Sequence, residues 1–205
     1  MSGERLTASL SASRELDALS SGDFWEHSGG PASCLWRASG VRNGHAVRMD
    51  ELGKQRSVEI VRFRREDQAA VQRLILEGLG EHWGVLDPQY NADLDDIDAS
   101  YAVGTVLVAR DAGQIVGVGA ITPIGPGEGE VKRMSVARDA RRRGLGTALL
   151  MALLEDARER GWRRVRLETT ADWEDAVQFY CAFGFELTHY EDGAFGRDAY
   201  FRMVL

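Results

Sequence analysis

RMSVARDARRRGLGTALL, residues 133–150, passes from an alternating stretch through three consecutive arginines and Gly144-Leu145-Gly146 into a run of helical spacing. The first turn of a helix leaves backbone N–H groups without partners, and the aligned peptide dipoles place partial positive charge there. An anion at that point accepts hydrogen bonds that the helix cannot make internally. Gly144 and Gly146 carry no Cβ, so a bulky diphosphate can approach the main chain. Arg141, Arg142 and Arg143 add a positive field and charged contacts. The stretch therefore predicts a pyrophosphate seat. The nucleotide loop GxxxxGK[ST] is absent, and GxGxxG does not occur here. The other glycine-rich stretch, GPGEGE at 125–130, contains two glutamates that repel phosphate, and it reads as a hairpin turn.

Outward from this stretch the pattern stays regular. VEIVRF at 58–63 reads as a strand. Residues 66–82 place Val71, Leu74, Ile75 and Leu79 at helical spacing, and residues 91–101 form a second, acidic helix candidate. TVLVAR (105–110) and QIVGVGAITPI (114–124) are strands separated by Asp-Ala-Gly, a hairpin signal. A strand over 130–137 leads into an amphipathic helix over 145–160, ended by Gly161. RVRLET (164–169) alternates, residues 173–183 are helical and stop at Gly184, and FELTHYE and DAYFRMVL close the chain as strands. The order βααβββαβαββ predicts an α/β domain with a mixed sheet over 57–205. Residues 1–56, rich in Ser, Gly and Arg, read as a mostly flexible extension, although Trp25 and Trp36 lie within it. Met49 is a candidate start for a shorter product.

The chain has 205 residues and a formal charge of −7, which argues against a general nucleic-acid or anionic-membrane surface. The N-terminus has no unbroken apolar run of the secretory kind, and no stretch approaches the ~20 apolar residues of a membrane span. Cys34 and Cys181 form no CxxC pattern, and His27, His45, His82 and His189 are scattered, so no metal is expected and a reducing cytoplasm is the default.

Arg141-x-x-Gly144-x-Gly146, after a strand and opening a helix, resembles the [QR]-x-x-G-x-[GA] signature of the GCN5-related N-acetyltransferase (GNAT) family. Downstream, Ala176-x-x-Phe179-Tyr180-x-x-x-Gly184-Phe185 resembles the family's second signature. The resemblance covers about residues 58–205 and implies the GNAT fold, of α+β character: a mixed, mostly antiparallel sheet of about six to seven strands with about four helices. It implies acetyl-CoA as co-substrate and direct attack of a primary amine on the thioester. The seat would then be the amides of Arg142, Arg143, Gly144, Leu145, Gly146 and Thr147, with Arg141 beside them. Met134, Ser135 and Val136 would offer strand backbone to the pantetheine arm and a donor to the thioester carbonyl. Tyr180 corresponds to the tyrosine that returns a proton to the CoA sulfur, against a reading as a packed aromatic. Glu130 corresponds to a base found on the same strand. Strand parity puts Glu130, Lys132, Met134 and Val136 on one face unless a bulge intervenes. Glu168 is the alternative base, and an amine entering neutral needs none.

Where many members of the family carry a pantetheine-binding asparagine, this chain has Trp173, which either packs on the pantetheine, closes the slot or packs the helix start. Asp87, Asp93, Asp95, Asp96 and Asp98 either draw in a cationic acceptor or cap helices and face solvent, and the second reading is preferred. His82 and Trp83 are candidates for lining the mouth, although a lone histidine at a helix end is more often structural, and Cys181 reads as core. Three functions follow: a small-amine N-acetyltransferase, which is preferred, a protein lysine or N-terminal acetyltransferase, and a CoA-binding sensor without turnover. By analogy with sheets of this kind, a homodimer through strand edges is expected.

Overall fold

The computed structural model describes residues 36–37, 48–49, 58–86, 88–193 and 196–205, all within the compact unit Trp36–Leu205. Trp25, His27, Cys34, His45 and Asp87, and most of the expected extension, lie outside the described residues. Inside that extension β1 (Trp36–Arg37) pairs antiparallel with β2 (Arg48–Met49).

The larger sheet begins with β3 (Val58–Arg62), followed by α1 (Gln68–Trp83) and a short α2 (Ile97–Ser100). A hairpin ladder of β4 (Thr105–Asp111), β5 (Gln114–Gly125) and β6 (Glu128–Val136) comes next. Then follow α3 (Leu145–Glu159), β7 (Arg164–Thr170), α4 (Glu174–Phe183), β8 (Glu186–Gly193) and β9 (Gly196–Val204). The seven strands run in the order β3-β4-β5-β6-β7-β9-β8. Every neighbouring pair is antiparallel except β6 and β7. The element order and the mixed, mostly antiparallel sheet are those expected from the pattern and the resemblance. No helix among the described residues is long and apolar enough to cross a membrane.

β4 and the middle of β5 are buried on both faces, because helices cover both, whereas burial alternates along β7. Along β4, Leu107 and Ala109 face a core built on α3, while Val106 and Val108 face a second core built on α1 and α2. In α3, Leu145, Ala148, Leu149, Ala152, Leu153 and Ala157 recur at three- and four-residue intervals and point to the sheet. Leu149 and Leu153 are fully buried, and each such leucine contributes about 1.5–3 kcal/mol of apolar burial. Arg160 follows the last turn, and Gly161, at φ 76°, takes the left-handed conformation that ends it. The α4 helix ends in the same way at Gly184, φ 107°.

One expectation about secondary structure and one about burial need correction here. The acidic helix predicted over 91–101 is broken: a 3-10 segment, Pro88–Leu94, is kinked at Asn91, and α2 then restarts for four residues. The break comes at Asp96, whose carboxylate caps α2 by accepting from the Ala99 N–H at 3.1 Å. Cys181 is exposed, not core. Tyr180 points inward from α4, and the next helical residue lies about 100° round the axis.

Candidate active site

The seat predicted at residues 141–147 is built by backbone. Arg142 and Gly144 both have positive φ, 60° and 75°, and such left-handed residues in a turn help aim successive N–H groups into one concavity. Gly144 is the cap residue of α3 and offers no side-chain bond. The first helical bond runs from the Ala148 N–H to the Gly144 carbonyl at 3.0 Å. The N–H groups of Leu145, Gly146 and Thr147 therefore have no partner within the helix. A Cβ at Gly146 would make only ordinary contacts, 3.6 Å from Phe179 and 4.0 Å from Val136. The protein itself does not require glycine there, which suits a ligand that lies against the backbone.

The arginines diverge instead of converging. Arg141 donates Nε to the Val136 carbonyl at 2.9 Å and Nη1 to Glu81 of α1 at 2.6 Å. Arg143 turns to Asp111 at 3.5 Å. Arg142 is exposed and enters no ion pair among the described residues. Between α1 and this connection lies a cavity of about 350 Å³ where Glu77, Glu81 and Asp139 meet Arg138 and Arg141. Its three carboxylates make it a poor phosphate site.

Beside the seat the sheet opens. β6 and β7 pair at only three positions, the last being Glu130 opposite Arg166, although both strands continue past it. From Val131 onward β6 therefore turns an unpaired edge toward β7, and the two strands enclose a wedge whose wide end lies at the α3 N-terminus. Across that end His82 of α1 stacks on Trp173, the residue preceding α4, with ring centroids 4.8 Å apart and planes within 7°. Trp83 meets Trp173 edge-on at 6.3 Å. The stack ties the helix start to the far wall of the opening.

A bulge in β6 overturns the expected parity. Lys132 lies opposite Ala120 and Ser135 opposite Val118, so Arg133 and Met134 share Gly119. Arg133 takes φ 55°, a left-handed conformation costing about 1–3 kcal/mol for a residue with a Cβ. Val131, Met134 and Val136 consequently pack on the α3 side. Glu130, Lys132 and Ser135 face the other side, where the Ser135 hydroxyl donates to the Leu74 carbonyl of α1 at 3.4 Å. Glu130 and Met134 are thus on opposite faces. Gly119 permits this arrangement, since a Cβ there would sit 2.5 Å from the Met134 sulfur.

Arg133 is anchored by contacts that local sequence gave no sign of. Its guanidinium forks onto both oxygens of Asp93, with Nε at 2.9 Å from Oδ2, and Nη1 donates to Asn91 Oδ1 at 3.0 Å. The Tyr101 hydroxyl donates to Asp93 at 2.6 Å. Burial raises the Asp93 carboxyl pKa, but the bonds from Arg133 and Tyr101 and the Arg133 charge outweigh it and hold the group below its ordinary value. Burial, followed by the bond and charge of Asp93, pushes the Tyr101 phenol well above its own. Asp93 is therefore an ion-pair partner, while Asp96 is the cap.

Glu130 sits at the vertex of the wedge. Its oxygens meet Arg166 Nε at 3.0 Å and Lys132 Nζ at 3.1 Å. Lys132 lies two residues along β6, and Arg166 comes from the neighbouring strand. Glu168, two residues further along β7, lies opposite Tyr200 of β9. Tyr180 is 8% exposed and packs against Phe179, Phe185 and Phe201. It lies deeper than Phe179, which is only half-buried. Among the described residues nothing accepts from its hydroxyl, and burial raises that phenol well above the ordinary value of 10.0. A buried, protonated phenol suits donation to a developing anion. No group of three or more potential metal ligands occurs among the described residues.

The sequence profile of the acetyltransferase (GNAT) family matches residues 69–185, from α1 through the start of the α4–β8 connection. An uncharacterized N-acetyltransferase of Escherichia coli, YjgM, is 31% identical over 148 residues, covering 68% of this chain and 89% of its own. N-acetyltransferase 8F1 of Rattus norvegicus is 34% identical over 103 residues, and the chain spans about half its length, 47%. Among solved structures, a GNAT-family acetyltransferase from Staphylococcus aureus superposes with a TM-score of 0.64 at 21% identity, over 70% of this chain and 98% of its own. The PaiA N-acetyltransferase of Thermoplasma acidophilum, solved with coenzyme A, gives 0.61 at 17% identity, over 73% of this chain and 99% of its own.

Proposed function

The chain belongs to the acetyltransferase (GNAT) family, and from that premise we propose that it transfers the acetyl group of acetyl-CoA to a small primary amine. One observation carries the reading: the uncapped α3 N-terminus stands at the wide end of a wedge between two strands that stop pairing. The amides of Leu145, Gly146 and Thr147 receive the pyrophosphate, as helix N-termini receive anions. The pantetheine lies along the unpaired edge of β6 at Met134, Ser135 and Val136, beneath the indole of Trp173. A main-chain N–H of the bulge donates to the thioester carbonyl.

The acceptor arrives on the α1 side, where Glu130 and Glu168 stand on the facing strands. Lys132 is a flexible and largely exposed ammonium, which a substrate ammonium can displace from Glu130. Glu130 then takes the amine's proton through water. The amine lone pair forms the N–C bond, the C–S bond breaks with its electron pair on sulfur, Tyr180 delivers a proton to the thiolate, and the surplus proton on the new amide nitrogen leaves to water, from which the phenol is restored. The test is CoA-thiol release by the full-length protein across small amines and lysine- or N-terminal-amine peptides. Release with small amines is expected. Release with peptides alone transfers the reading to a protein acceptor. Saturable acetyl-CoA binding without release under any acceptor overturns turnover and leaves a sensor.

A further inference from the structure

Arg133 is a residue with a Cβ at a left-handed position, in the stretch of β6 that no longer pairs with β7. A bulge leaves one backbone position outside the ladder, and its direction depends on how the extra residue is turned. Something must hold that turn, because a left-handed residue persists only where its surroundings fix it. The side chain that does so leaves the bulge itself. It crosses to the connection between α1 and α2, grips both carboxylate oxygens of Asp93, and adds bonds to Asn91 and the Tyr90 carbonyl. Asp93 is steadied in turn by Tyr101. The Arg133 and Asp93 side chains are only 20% and 30% exposed, and a planar fork on a carboxylate fixes orientation as well as distance.

We infer that Arg133 and Asp93 are positioning residues, which hold the β6 bulge so that one of its main-chain N–H groups points into the wedge and polarises the thioester carbonyl. The inference rests on the acetyl-CoA reading above. It adds that the wall formed by residues 90–93 and the carbonyl donor are one mechanical unit. An acceptor pressing on that wall acts directly on the donor. Neither side chain touches the cofactor, and the pyrophosphate seat on α3 is independent of both.

The test compares wild type with D93N, R133K, R133G and Y101F. Acetyl-CoA labelled with ¹³C at the thioester carbonyl is bound to each, and the carbonyl band is read by isotope-difference infrared spectroscopy. This readout requires no acceptor. The wild-type band is expected below that of free acetyl-CoA. In D93N, R133K and R133G it should return toward the free value, with kcat lowered on the order of 10–100-fold, the cost of a misplaced donor. The acetyl-CoA dissociation constant should stay within about threefold, because the diphosphate contacts remain. Y101F keeps the ion pair and should move the band less. R133G removes the left-handed strain together with the clamp, so it stays informative should D93N fail to fold. Wild-type band and kcat in R133K and R133G would overturn the clamp while leaving the cofactor reading intact. No saturable binding by wild type would overturn that reading and the inference with it.

Discussion

Replacing Tyr180 by phenylalanine removes one oxygen and no hydrogen bond among the described residues. The ring stays, with its contacts to Phe179, Phe185 and Phe201 at centroid distances of 5.1–6.0 Å. Stability should therefore change by less than about 1 kcal/mol, since neither a cavity nor an orphaned partner is created. Loss of a general acid, by contrast, costs roughly 10²–10⁴ in rate, or about 3–5 kcal/mol of transition-state stabilisation. The two magnitudes differ enough to separate a chemical role from a packing role. Thermal unfolding and acetyl-CoA titration should give near wild-type values, while CoA-thiol release falls at least about 100-fold. Because burial holds the phenol above 10.0, the wild-type rate should show no loss on the alkaline side from this group below that pH. A Y180F rate within about twofold of wild type, with an unchanged fold, would refute proton delivery by Tyr180.

Gly144→Val forces a branched side chain onto φ 75° at the mouth of the anion seat; acetyl-CoA affinity by calorimetry should weaken at least about tenfold, with a stability loss of about 1–3 kcal/mol. Asp156 of α3 is 4% exposed and accepts from Arg62 at 2.7 Å, Thr105 at 2.8 Å and Arg160 at 2.6 Å. Both arginines reach solvent, so D156N should lose about 2–3 kcal/mol in urea unfolding, below the full cost of breaking a buried pair. The Asp93 carboxyl is held below its unfolded value, so its contribution is fully present above that value and vanishes as pH falls through the folded one; the wild-type advantage over D93N in thermal unfolding should be greatest near neutrality and disappear in acid. Trp173→Ala should separate α4 from His82, read as a change in tryptophan emission and in acetyl-CoA affinity.

The order of elements was legible because its signals are local. Gly161 and Gly184 end helices through positive φ, and the alternation of RVRLET survives as Val165 and Leu167 in the core. The helix start at Leu145 was readable from the arginine–glycine run. The bulge was not, because nothing about Arg133 as a residue type asks for a left-handed turn. Its cause lies in Gly119 on the next strand and in Asp93, forty positions away. The Arg141 contact with Glu81 spans sixty positions and redirects a side chain that local pattern assigns to phosphate. The aromatic contact between His82 and Trp173 is equally non-local, although His82 was read at the mouth and Trp173 at either the pantetheine slot or the helix start. Even the start of β6 was misplaced, since Glu128 and Gly129 read as turn while Gly129 in fact lies in the ladder, under the ring of Trp162.

Strand β6 is written in two phases, with apolar side chains meeting α3 at Val131 before the extra residue and at Met134 and Val136 after it. Removing Arg133 would leave Val131, Met134 and Val136 alternating on the α3 side of a regular ladder, so the apolar face would survive while the bulge and its redirected main chain would be lost. A one-residue deletion there would thus be nearly silent in the core yet would erase the irregularity beside the wedge, and any redesign of the strand must conserve its count of residues before their identity.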